Sequence, residues 1–123
     1  MRIIIVSTSI GFLGSGQGGG VELTLNSLVF GLIKKGHQVT VVAPDQSQLP
    51  EKCNSAELIC VKGRVQKSWQ HQDYYAKTKL SKDSIVHVML EKALSLMNNC
   101  DAIINLSYDL LPICKTLEVN YPI

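Results

Sequence analysis

A chain of 123 residues is one domain's worth, long enough to bury about two thirds of the surface it exposes when unfolded. With 46% hydrophobic and 18% charged residues it is too apolar for a disordered segment, and no stretch approaches the roughly 20 apolar residues of a membrane-spanning helix. A formal net charge of +2 excludes a strongly basic nucleic-acid binder, and Cys53, Cys60, Cys100 and Cys114 lack the Cys-x-x-Cys spacing of a zinc site.

The first strand is predicted at Ile3-Ile4-Ile5-Val6, a β-branched run suited to a parallel strand buried on both faces. Polar Ser7, Thr8 and Ser9 cut that run too short for a secretory leader, so a cytoplasmic protein with reduced, mostly buried thiols and no metal is expected. Val21, Leu25, Leu28, Val29 and Leu32 then follow helical spacing, with Glu22 in the first turn and Lys34, Lys35 and Gly36 at the end. Val39, Val41, Val42 and Ala43 form a second strand that Pro44 stops, completing a βαβ unit with a right-handed crossover. Leu58 to Val61 is a shorter third strand. Ser84 is placed to cap a helix whose face carries Ile85, Met89 and Ala93 beside Val86, Leu90, Leu94 and Met97. Ala102 to Leu106 is a fourth strand and Leu110 to Leu117 a short helix with Pro112 in its first turn.

Strands alternating with helices predict an α/β fold, a Rossmann-like parallel sheet with helices on both faces. A fifth strand is due where the sequence reaches Tyr121-Pro122-Ile123, so residues 1–123 read as one incomplete domain, truncated before its sheet is finished. An inactive fragment acting as a binding module, unstable until another chain completes the sheet, is therefore one reading of the protein.

Six glycines crowd the ten residues from Gly11 to Gly20, between the first strand and the first helix. Each glycine costs roughly 1 kcal/mol of extra chain entropy relative to alanine and suits positions of positive φ or close ligand approach. A phosphate at a helix N-terminus uses both, because free N–H groups point outward there and the helix dipole adds partial positive charge. Gly18, Gly19 and Gly20 stand just before the helix and are the anion-binding candidates; a flexible loop without function is the alternative. Gly14, Gly16 and Gly19 also fit the G-x-G-x-x-G pattern of a dinucleotide-binding oxidoreductase. In that fingerprint, however, the first glycine follows the strand almost at once, and the acidic residue closes the second strand. Here Gly14 lies seven residues beyond Ser7, and Pro44 separates Asp45 from the strand.

Gly18-Gly19-Gly20-Val21-Glu22, a helix, and then Lys35-Gly36-His37-Gln38-Val39-Thr40-Val41 resemble the N-terminal lobe of glycosyltransferase family 4, strongly over residues 1 to about 45 and as a pattern of elements to 123. The resemblance implies one of two Rossmann-like lobes facing across a cleft, the GT-B arrangement, in a metal-independent enzyme that transfers a sugar with retained configuration. It implies that the nucleotide-sugar is a substrate rather than a cofactor, that Gly18, Gly19 and Gly20 approach its diphosphate, and that acceptor and donor meet through a second domain absent from this chain. No catalytic residue is assigned here, since the family's usual histidine after strand five and its paired glutamates would lie beyond Ile123; His37 at the entry of the second strand is structural. The run from Gly14 to Leu25, with Gln70-His71-Gln72-Asp73, is similar to the subgroup that glucosylates tetrahydrobiopterin from UDP-glucose. A flat pterin would need a platform such as Trp69, Tyr74 and Tyr75.

Relatives often place histidines after the fourth strand, where this chain has Ser107, Tyr108 and Asp109. These three are acceptor-binding candidates by their position at a strand's carboxyl end, Tyr108 and Asp109 alternatively capping the next helix. Lys62, Arg64, Lys67, Lys77, Lys79 and Lys82, with Asp73 the only acid among them, interleave with Trp69, Tyr74 and Tyr75. A solvated connection, acceptor binding or contact with a membrane surface are the readings of that segment, with no nucleic-acid partner expected.

Overall fold

A computed structural model describes residues 1–65, 83–107, 110–120 and 122–123. It is an α/β fold: β1 (Arg2–Val6), α1 (Gly20–Lys34), β2 (Gln38–Pro44), β3 (Glu57–Val61), α2 (Ile85–Ser95), β4 (Ala102–Asn105) and α3 (Leu110–Glu118), with 3-10 turns at Glu51–Cys53 and Met97–Asn99. The four strands form one sheet in the order β3-β2-β1-β4, and every pair is parallel. This is the Rossmann-like arrangement expected from the alternation of strands and helices.

Two cores follow from the pleat of β1. Ile3 and Ile5 join Leu25 and Val29 of α1 with Val39, Val41 and Ala43 of β2 on one face. Ile4 and Val6 join Ile85, Met89 and Ala93 of α2 with Val42 and Ile103 on the other. At roughly 1.5–3 kcal/mol per fully buried aliphatic side chain, these opposed clusters are the main favourable term. The topology explains why both faces are covered. The connection from β1 to β2 and the connection from β3 to β4 cross the sheet in opposite directions, so a single hand for both sets α1 and α2 on opposite sides.

Several boundaries shift from the sequence reading. Pro44 is the last paired residue of β2, opposite Val61, rather than a stop before the strand ends. It needs no ladder donor there because it closes the strand. Ser84 caps α2 as expected, its side chain accepting from the His87 N–H, and Met97 falls in the following 3-10 turn. Gly63 is a close approach: a Cβ there would lie 3.1 Å from the Ile85 Cα. Beside it, the Arg64 N–H donates to the Asp83 carbonyl at 2.7 Å, and the Ile85 N–H donates to the Arg64 carbonyl at 3.0 Å.

The four cysteines are free thiols, but only Cys53 and Cys100 are buried, while Cys60 and Cys114 are exposed. The expectation of mostly buried thiols is thus half right: Cys60 shares the α1-side face of β3 with Leu58 but is exposed on this edge strand, and Cys114 rides the outer side of α3. That side also exposes Leu110, Ile113 and Leu117. Pro122 reaches the outer edge of β4, its carbonyl accepting from the Ile103 N–H at 2.9 Å, and Ile123 packs against the α2-side core. Among the described residues, no helix is long and apolar enough to cross a membrane.

Candidate functional site

Beyond β1 the chain passes to α1 on one face, whereas beyond β4, the neighbour of β1, it leads to α3, which packs beside α2. Adjacent parallel strands whose connections part in this way leave a crevice beyond their carboxyl ends, the usual ligand position in open α/β sheets. A cavity of about 490 Å³ lies there, lined by Gly20, Val21 and Thr24 of α1 and by Asn105, Leu106 and Ser107 at the end of β4. Gly20 and Thr24 share one face of the helix at i, i+4 spacing, which points that face at the end of the strand.

Most polar groups in the wall are already paired, and this sets what the cavity can recognise. Asn105 Oδ1 accepts from the Ser107 N–H at 3.2 Å and from its hydroxyl at 2.6 Å, while Asn105 Nδ2 donates to the Ser107 carbonyl at 3.1 Å. This pattern fixes the amide orientation and leaves the second Asn105 N–H without a partner among the described residues. The Thr24 hydroxyl donates to the Gly20 carbonyl at 2.8 Å and keeps its lone pairs. The Gly20 N–H, at the start of α1, has no partner among the described residues. The described lining therefore presents a helix-terminal N–H, an amide N–H and two hydroxyl oxygens. None of these groups titrates near neutral pH, so they suit the binding of a polar or anionic group.

The glycine loop is built rather than slack. Ile10, Gly11 and Leu13 are buried; the Leu13 N–H donates to Ser47 Oγ at 2.9 Å, and its carbonyl accepts from the Gln48 N–H at 3.0 Å. At Gly11, with φ +65, a Cβ would stand 2.8 Å from Ser15 Oγ and 2.9 Å from Gln17 Cβ. Gly19 is the N-cap of α1 at φ 55, ψ −128, a region open essentially to glycine alone. Glu22, in the first turn, does not face solvent. It is 8% exposed, and its Oε1 accepts from the Gly14 N–H at 2.5 Å across the loop.

The three glycines divide. Gly20 borders the cavity, whereas the Gly19 N–H is turned to the Gly16 carbonyl at 3.3 Å and the Gly18 carbonyl accepts from the Val21 N–H at 3.3 Å. Ser107 is buried in the wall, as a strand-end ligand position requires. Tyr108, Asp109 and Trp69 lie outside the described residues, as does most of the basic aromatic segment. His37 Nδ1 sits 3.1 Å from the Met1 nitrogen at the amino ends of β1 and β2, away from the cavity. Sequence reasoning missed Thr24 and Asn105. The signal for Asn105 was a carboxamide closing an apolar strand, and for Thr24 its i+4 relation to Gly20. Asp45 directly follows the last paired residue of β2, closer to the dinucleotide pattern than the sequence suggests.

No protein-family model matches the chain, and no curated protein matches it. The likeness to glycosyltransferase family 4 rests on the two motifs and their spacing.

Proposed function

We propose that this chain is the acceptor-side lobe of a retaining, GT-B-type glycosyltransferase, with a nucleotide-sugar, UDP-glucose, as donor and a small molecule, a pterin, as acceptor. The observation that carries this reading is the cavity at the β1/β4 switch point, lined both by Gly20, whose N–H has no partner among the described residues, and by the Asn105–Ser107 strand end. Gly20 faces the donor phosphates, with Gly18 and Gly19 shaping the turn that delivers it. Ser107 and Asn105 face the acceptor, with Tyr108, Asp109 and Trp69 as further acceptor contacts. The catalytic groups and most of the positive charge come from a second lobe across the cleft, so the chain by itself binds without turning over. A cytoplasmic setting suits both substrates.

The test is an amide NMR titration of the chain with UDP-glucose and, separately, with tetrahydrobiopterin. Shifts at Gly20, Asn105 and Ser107, with Arg2 and Asp101 unmoved, are the expected result. A flat response at all three residues would remove the reading. A second reading, a dinucleotide-binding oxidoreductase domain, is favoured by Asp45 at the end of β2 and predicts shifts at Asp45 with NAD. The long, packed connection between β1 and α1 argues against it, because a dinucleotide pyrophosphate needs a tight turn at that point.

A further inference from the structure

Glu22 combines three observations that its place in a helix's first turn does not explain. Its carboxylate is turned inward and nine-tenths buried, one oxygen accepts from the Gly14 N–H, and the other, Oε2, has no partner among the described residues. The free oxygen stands 3.5 Å from where a Gly18 Cβ would be, with Thr8 Cγ2 only 3.0 Å from the same point. The carboxylate thus lies in van der Waals range beneath Gly18, where Thr8 rather than Glu22 is the neighbour that a larger residue would crowd. A solvated Glu at this position would have gained its dipole energy without desolvation, so burial must be offset by a specific bond.

We propose that Glu22 is the positioning residue of the glycine loop: by tying Gly14 to the first turn of α1, it fixes the turn through Gly18 and Gly19 and so aims the Gly20 N–H into the cavity. This rests on the reading of the cavity as a ligand site and adds a residue that touches no ligand itself. The energetic logic is preorganisation. The Gly14–Gly20 stretch contains five glycines, and without a tie its freedom would have to be lost on binding. A charge-assisted bond from the helix to the far end of that stretch removes the freedom beforehand.

The first test needs no variant. Gly14 and Gly16 are both exposed glycines of positive φ, yet only Gly14 donates to Glu22, and the Gly16 N–H has no partner among the described residues. Amide hydrogen exchange should be about tenfold or more slower at Gly14 than at Gly16, as one charge-assisted bond implies. Equal rates would overturn the proposal. In Glu22→Gln, whose amide oxygen still accepts but without the charge, Gly14 protection and UDP-glucose affinity should fall by only about threefold. In Glu22→Leu, Gly14 protection should vanish and affinity fall about tenfold, with exchange in the sheet unchanged. Affinity lost equally in both variants, or retained in Glu22→Leu, would also overturn it. Should UDP-glucose bind neither the parent nor Glu22→Gln, the reading of the cavity fails, while the exchange comparison still decides the tie between Gly14 and Glu22.

Discussion

The two ends of the sheet treat their polar groups differently. At the amino end, the Arg2 N–H donates to Asp101 Oδ2 at 2.6 Å, the Asp101 N–H returns a bond to the Arg2 carbonyl at 2.7 Å, and the Gln38 N–H donates to the Met1 carbonyl at 2.9 Å. At the carboxyl end, the buried Ser7 Oγ and Glu22 Oε2 have no partner among the described residues, three loop glycines between Gly14 and Gly19 hold positive φ, and a cavity opens between α1 and β4. An unmatched buried polar atom costs about 1–3 kcal/mol, whereas positive φ is open to glycine without strain. The amino end instead pairs its backbone across strands, although Gly36 holds φ 83 there and a smaller cavity of about 330 Å³ opens between Arg2, Gln38 and Cys100.

Gly11→Val forces a side chain into a +65 φ against Ser15 and Gln17, and should destabilise the domain by about 3 kcal/mol or more in chemical denaturation. A loss under about 1 kcal/mol would mean that the loop yields freely and is not built. Asp101→Ala removes the carboxylate clasp at the amino end and should lower stability by about 1 kcal/mol while leaving UDP-glucose affinity untouched. A change in affinity there would couple the two ends. Gly20→Ala meets nothing within 4 Å and has no positive φ, so stability should hold within about 0.5 kcal/mol while the new methyl at the cavity mouth weakens binding several-fold. It is a cleaner probe than Gly19→Val, whose strained φ would mix a backbone penalty with any loss of ligand.

The smallest effect is one of pH. Burial pushes the Cys53 thiol above its ordinary value, against the pull of Lys52. The unfolded chain therefore releases that proton first as pH rises, so the contribution is complete at neutral pH and is lost progressively above about pH 8.5. The unfolding free energies of the parent and Cys53→Ala should converge as the pH is raised from about 7 to about 10. Parallel profiles would count against the shift.

Local rules placed the elements. The β-branched run of β1 and the Leu25, Val29 face of α1 are legible because a buried strand and a half-buried helix each impose a period on their own residues. The N-cap at Ser84 is equally local. What lies across the fold was not legible: Asn105 and Thr24 are far apart in sequence, and nothing in either neighbourhood reports that they line one cavity.

Glu22 shows the limit most clearly. Its position in the first turn of a helix was readable, and the dipole rule alone points it at solvent. Its actual direction depends on where the loop returns. The sequence by itself determined the α/β class, the order of the elements and the glycine loop, because hydrophobic period, capping and backbone freedom act within a few residues. Only the tertiary structure decided that β4 lies beside β1, that Gly20 rather than Gly18 or Gly19 borders the cavity, and that Glu22 turns inward. Those outcomes depend on hydrogen bonds and packing between segments distant along the chain, and no local pattern encodes the distances they set.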